Sequence, residues 1–111
     1  MSPESFSSSD PAVWHVVDLM SRFGPVRPRA MFGGHGLYRD GVMFALLLVG
    51  GLYLKVDEQS RHHFAERNLR PFAFVARGRT VELSYHAAPP EALEDAAEMA
   101  GWCRLAWDAA L

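Results

Sequence analysis

Residues 36–56 read GLYRDGVMFALLLVGGLYLKV, three apolar runs separated by two turn signals. Asp40-Gly41 is a residue pair favoured by type I′ hairpin turns, and Gly50-Gly51 has free access to the positive φ of a tight turn. The stretch therefore predicts a three-stranded antiparallel meander over 36–39, 42–49 and 52–56. Arg29 to Gly33 extends the first strand across Gly33-Gly34-His35-Gly36, where the glycines indicate a bulge or a sharp bend. With two-residue turns at both hairpins, alternation places Tyr38, Met43, Ala45, Leu47, Val49, Leu52, Leu54 and Val56 on one face, which helices are expected to cover. The reverse face then carries Leu37, Phe44, Leu46 and Leu48 beside Tyr53 and Lys55.

The flanking sequence supplies the covering layer. Asp10-Pro11 is an N-cap and first-turn pair, and Val13, Val16, Val17, Met20 and Phe23 recur at helical spacing until Gly24-Pro25 ends the pattern. Asp57 caps a short helix over about Glu58 to Asn68, with Phe64 as its main apolar anchor. A second hairpin follows. A turn at Gly78-Arg79 would pair Ala76 with Val81, Phe74 with Leu83 and Phe72 with Tyr85, making one face apolar. Pro89-Pro90 then opens a last helix with Met99, Cys103, Ala106 and Ala110 on one face. The expected fold is α+β, a two-layer α/β domain with an antiparallel sheet in the order α-β-β-β-α-β-β-α. One domain spans 10–111, behind a serine-rich tail over 1–9 that is expected to be disordered.

Composition agrees with a single folded unit. The chain has 111 residues, 50% of them hydrophobic, and a formal charge of −2, which excludes a multidomain machine and a disordered chain. One cysteine and the absence of a basic, apolar leader point to the cytoplasm. The longest uncharged stretch, Gly41 to Leu54, is shorter than the roughly 20 residues that cross a bilayer, so no membrane span is expected. Charge is segregated along the chain. Arg61, Arg67, Arg70, Arg77 and Arg79 crowd the middle, whereas Glu91, Glu94, Asp95, Glu98 and Asp108 crowd the end.

These patterns yield few candidates for chemistry. An uncovered apolar sheet face marks a partner surface, so Leu37, Phe44, Leu46, Leu48 and Tyr53 are assigned to a homodimer or oligomer contact. Arg70, Arg77 and Arg79 could reach nucleic-acid phosphate from a hairpin, although the whole chain lacks a basic footprint. GGHG leads into a hairpin and not into a helix, which argues against a phosphate loop. His62 and His63 diverge by about 100° on a helix and do not share one ion. Glu82, Ser84 and His86 share a strand face, but no oxyanion site is marked. Cys103 lies on a buried helix face as an inert thiol. No catalytic residue, metal site or cofactor is assigned.

The block RAMFGGHGLYRDGVMFALLLVGGLYLKVD, Arg29 to Asp57, resembles the TfoX (Sxy) N-terminal domain family, which is associated with regulators of natural competence. PFAF at 71–74, Gly78-Arg79, LSYH at 83–86 and the following PPEAL resemble the same family's second hairpin and last helix. The resemblance implies a small non-enzymatic regulatory or protein-interaction domain with an unidentified protein partner. Its motif residues Arg29, Phe32, Gly33, Gly34, Gly36 and Tyr38 are the implied interaction site. Full-length competence regulators carry a second, helical C-terminal domain; this chain stops at Leu111, so the expectation is a domain without it. The alternatives are a nucleic-acid-associated protein using the arginine hairpin and a small-ligand-binding domain.

Overall fold

Asp10 accepts a hydrogen bond from the Ala12 N–H, and Pro11 starts helix α1, Pro11–Leu19. The computed structural model describes residues 10–31 and 33–111; the expected tail over 1–9 and the motif residue Phe32 lie outside the described residues. Strands β1 (Arg27–Met31), β2 (Gly34–Arg39), β3 (Val42–Leu48) and β4 (Gly51–Lys55) follow, then helix α2 (Arg61–Ala65). Strands β5 (Pro71–Ala76) and β6 (Arg79–Ala87), a 3₁₀ turn at Pro90–Leu93 and helix α3 (Ala96–Ala110) complete the chain. All neighbours in the six-stranded sheet are antiparallel, in the order β1-β2-β3-β4-β6-β5. The fold is therefore α+β, as the pattern of runs and turns predicts.

The glycine segment is more sharply bent than a bulged strand. Met31 pairs with Gly34, so the chain reverses there and Arg27–Met31 forms a strand of its own beside β2. Gly33 takes φ 77° in that reversal, a conformation glycine adopts without steric cost.

Two turns fall one residue earlier than expected. Leu48 pairs with Gly51, which leaves Val49 and Gly50 in the turn and Val49 99% exposed at its tip. Ala76 pairs with Arg79, so Arg77-Gly78 is the turn, with φ 55° and 76° as a type I′ turn needs. Each change moves the cross-strand pairing by two residues, and a period-2 strand keeps its faces under such a shift.

A slip of one residue does change faces, and one occurs between β2 and β3. Tyr38 pairs with Met43, but Leu37 pairs with Ala45, so Phe44 is an extra residue, a β-bulge. Phe44 and Ala45 are both fully buried in the core with Leu37. Leu37 and Phe44 are thus corrected: they lie under the helices and are not on the open face. Tyr38 and Met43 take the reverse side, where a Cβ on Gly36 would meet Met43 Sδ at 2.7 Å and Tyr38 Cε1 at 3.0 Å.

The helices cover the Leu37 side. Phe23, Phe44 and Trp107 form a ring cluster with centroid separations of 5.2, 6.3 and 6.3 Å. Arg39 closes it, with its guanidinium 4.6 Å from the Phe23 centroid and donating to the Phe23 carbonyl. Met99, Cys103 and Ala106 of α3 and Phe64 of α2 fill the rest. Asp57 and Ser60 hold the entry to α2 reciprocally: the Ser60 N–H donates to the Asp57 carboxylate and the Asp57 N–H to Ser60 Oγ. The Ser60 N–H holds the Asp57 carboxyl below its usual range.

Candidate functional site

The side of the sheet away from the helices is apolar. Met31, Met43, Leu46, Leu48, Phe72, Phe74, Leu83 and Tyr85 line a groove of about 540 Å³. Its size falls within the roughly 300–1,000 Å³ typical of binding clefts. Of the residues expected on this face, Leu46, Leu48 and Tyr53 are there, with the Tyr53 ring 5.2 Å from that of Phe72. The second hairpin supplies the other wall. Phe72, Phe74, Leu83 and Tyr85 share one side of β5 and β6, and β6 sits against β4, so the hairpin's apolar face continues that of the meander. The apolar face of 72–85 was legible from its alternation; its joining to β4 is a long-range pairing with no local signal. Burial raises the Tyr85 pKa, and the nearby Tyr38 adds to the effect.

Beside this groove lies a second cleft, lined by Pro25, Arg27, Arg29, Tyr38, Asp40 and Gly41. It brings together two of the motif residues, Arg29 and Tyr38. Gly36 is the floor between the two clefts, beneath Tyr38, Met43 and Met31. Gly33 and Gly34 stand apart at the β1–β2 reversal, near His35, Leu47 and Leu48.

The arginine candidates are divided. Arg77 and Arg79 both stand at the β5–β6 tip, but Arg70 precedes β5, whose six residues separate it from them by about 20 Å of strand. Ser84 and His86 have separate partners: Lys55 Nζ donates to Ser84 Oγ at 2.7 Å, and His86 Nδ1 donates to the Leu69 carbonyl at 2.9 Å. The His62 and His63 rings are stacked 4.0 Å apart, and among the described residues no three His, Cys, Asp or Glu side chains cluster as metal ligands would.

Cys103 is buried, and desolvation pushes its thiol pKa up to about 12. The native chain should therefore resist iodoacetamide at about pH 8, because the thiolate is the nucleophile. Mass spectrometry should find Cys103 alkylated only under denaturing conditions; rapid labelling of the native chain would contradict its burial.

Comparison with known proteins places this geometry in context. A family model, the TfoX N-terminal domain, matches residues 18–110. Protein Sxy of Escherichia coli (strain K12) is 25% identical over 99 residues, covering 89% of this chain and 47% of that protein. The chain thus spans about half the length of this curated relative.

Proposed function

This chain belongs to the TfoX N-terminal domain family, and on that premise we propose that it is a small regulatory domain acting by protein contact, without catalysis, in the cytoplasm. The observation that carries this reading is the apolar groove on the sheet face that none of the described helices covers. Apolar side chains that line a groove open to water are less favourable there than against a partner that covers them. Among the described residues no helix is long and apolar enough to cross a membrane.

A homodimer through the same face is the second reading. It is favoured by the continuity of the apolar surface from Leu46 and Leu48 across Tyr53 to Phe72, since a two-fold contact uses one patch twice.

Site-specific photo-crosslinking in the native host tests protein contact. A benzophenone side chain at position 74, on the groove, is expected to give protein adducts, and one at position 98, exposed on α3, is not. An adduct of twice the chain's mass reports the homodimer. Equal labelling at both positions, or none at position 74, would count against a groove contact.

A further inference from the structure

We propose that the groove takes an acidic, apolar segment of another protein, with large aliphatic or aromatic side chains on its floor and carboxylates against its rims. The proposal deepens the protein-contact reading and rests on it. The lining residues Met31, Met43, Leu46, Leu48, Phe72, Phe74, Leu83 and Tyr85 carry no charge, and the two methionines can adapt to side chains of different shape.

The rims carry cations. Pro28 is buried on the opposite side of β1, so alternation places Arg27 and Arg29 on the groove side with Met31, and both are exposed. On β6, Arg79 shares a side with Val81 and Leu83, and it too is exposed. Lys55 pairs with Tyr85 and sits 5.0 Å from its ring centroid. Asp40, at the β2–β3 tip, is the carboxylate that shares the cleft of Arg27 and Arg29. The exposed acids Glu91, Glu94, Asp95, Glu98 and Asp108 belong to the helical layer.

This distribution chooses among occupants. Two copies meeting face to face would set one basic rim on another, with Asp40 as the rim acid of each copy and the acids of the last turn and helix on the far layer. A nucleic-acid backbone would satisfy the cations but leave the uncharged floor without an apolar counterpart. An acidic segment with apolar side chains meets both demands: burial on the floor supplies affinity, and the rim charges supply orientation and association rate.

The test is selection of a displayed library of random twelve-residue peptides on the full chain. Enriched sequences should place Asp or Glu beside Leu, Phe or Trp, and a representative peptide should bind at least about tenfold more weakly once salt screens the rims. Phe74→Asp should abolish enrichment, whereas Arg27→Glu with Arg79→Glu should remove the acidic preference; all three positions are exposed, so the fold should persist, as circular dichroism would verify. Apolar enrichment without acids, or with basic residues, would overturn the charge complementarity and leave the protein-contact reading standing. A two-chain mass by light scattering, lost in Phe74→Asp, with no peptide enriched, would make a second copy the occupant and also spare that reading. If no peptide enriches and the chain is monomeric, both readings fall; a salt-sensitive shift of duplex DNA would then put phosphate in their place.

Discussion

Phe44→Ala is expected to destabilise the domain by about 3–5 kcal/mol, the usual cost of truncating a buried phenylalanine. The side chain is fully buried and contacts the rings of Phe23 and Trp107. Its loss opens a cavity and removes aromatic pairs that contribute about 0.5–1.5 kcal/mol each beyond area burial. Few nearby groups can collapse into the space, because Phe44 is the bulged residue and its backbone is fixed by the ladder on either side. Urea unfolding should show a lower midpoint with an unchanged slope. Phe74→Ala provides the contrast: that ring is 41% exposed on the groove, and its loss should cost well under half as much while weakening the partner contact. A near-native midpoint for Phe44→Ala would restore strict alternation in β3 and place this ring on the open face. If Phe44→Ala does not fold at all, Phe44→Leu should show the same loss on a smaller scale.

The same residue marks the limit of what could be read from the sequence. Alternation and turn residues reported the strands, the antiparallel sheet and the apolar hairpin face, because these depend on neighbours within a few positions. A bulge depends on whether one more residue fits between two strands, a tertiary condition that VMFALLL does not display. Leu37 and Phe44 therefore exchanged places with Tyr38 and Met43, while Leu46, Leu48 and Tyr53 kept the side that alternation assigned them. The turn placements failed for a related reason. Gly50-Gly51 and Gly78-Arg79 are acceptable turns taken alone, and the observed choices follow from how each hairpin joins the whole sheet. Arg29 and Tyr38, singled out by the motif they belong to, line one cleft. The second hairpin's part in the groove required the β4–β6 pairing, which bridges residues 30 or more positions apart.

Gly34→Ala is the complementary test, of close approach where Phe44→Ala tests filling. A Cβ at Gly34 would lie 2.6 Å from the Leu47 carbonyl oxygen, 2.6 Å from Leu48 Cδ2 and 3.3 Å from Leu48 Cα. Two of these atoms are backbone, so β2 must move away from β3 before alanine fits, and the expected cost is about 3 kcal/mol, at the upper end for overpacking. Thermal unfolding should fall by roughly 15 °C for a domain of this size. The three atoms nearest a Cβ at Gly36, Met43 Sδ, Tyr38 Cε1 and Met31 Sδ, all belong to side chains and none to backbone, so they can shift for about 1 kcal/mol. Gly33→Ala meets no atom within 4 Å among the described residues beyond its chain neighbours, and its expected cost is that of the positive φ, roughly 1–2 kcal/mol. The three motif glycines thus have three separate reasons, and Gly34 should be the least tolerant. A Gly34→Ala chain as stable as the native one would mean that β2 and β3 do not approach this closely. The groove wall around Leu48 would then have to be redrawn, because its position depends on that contact.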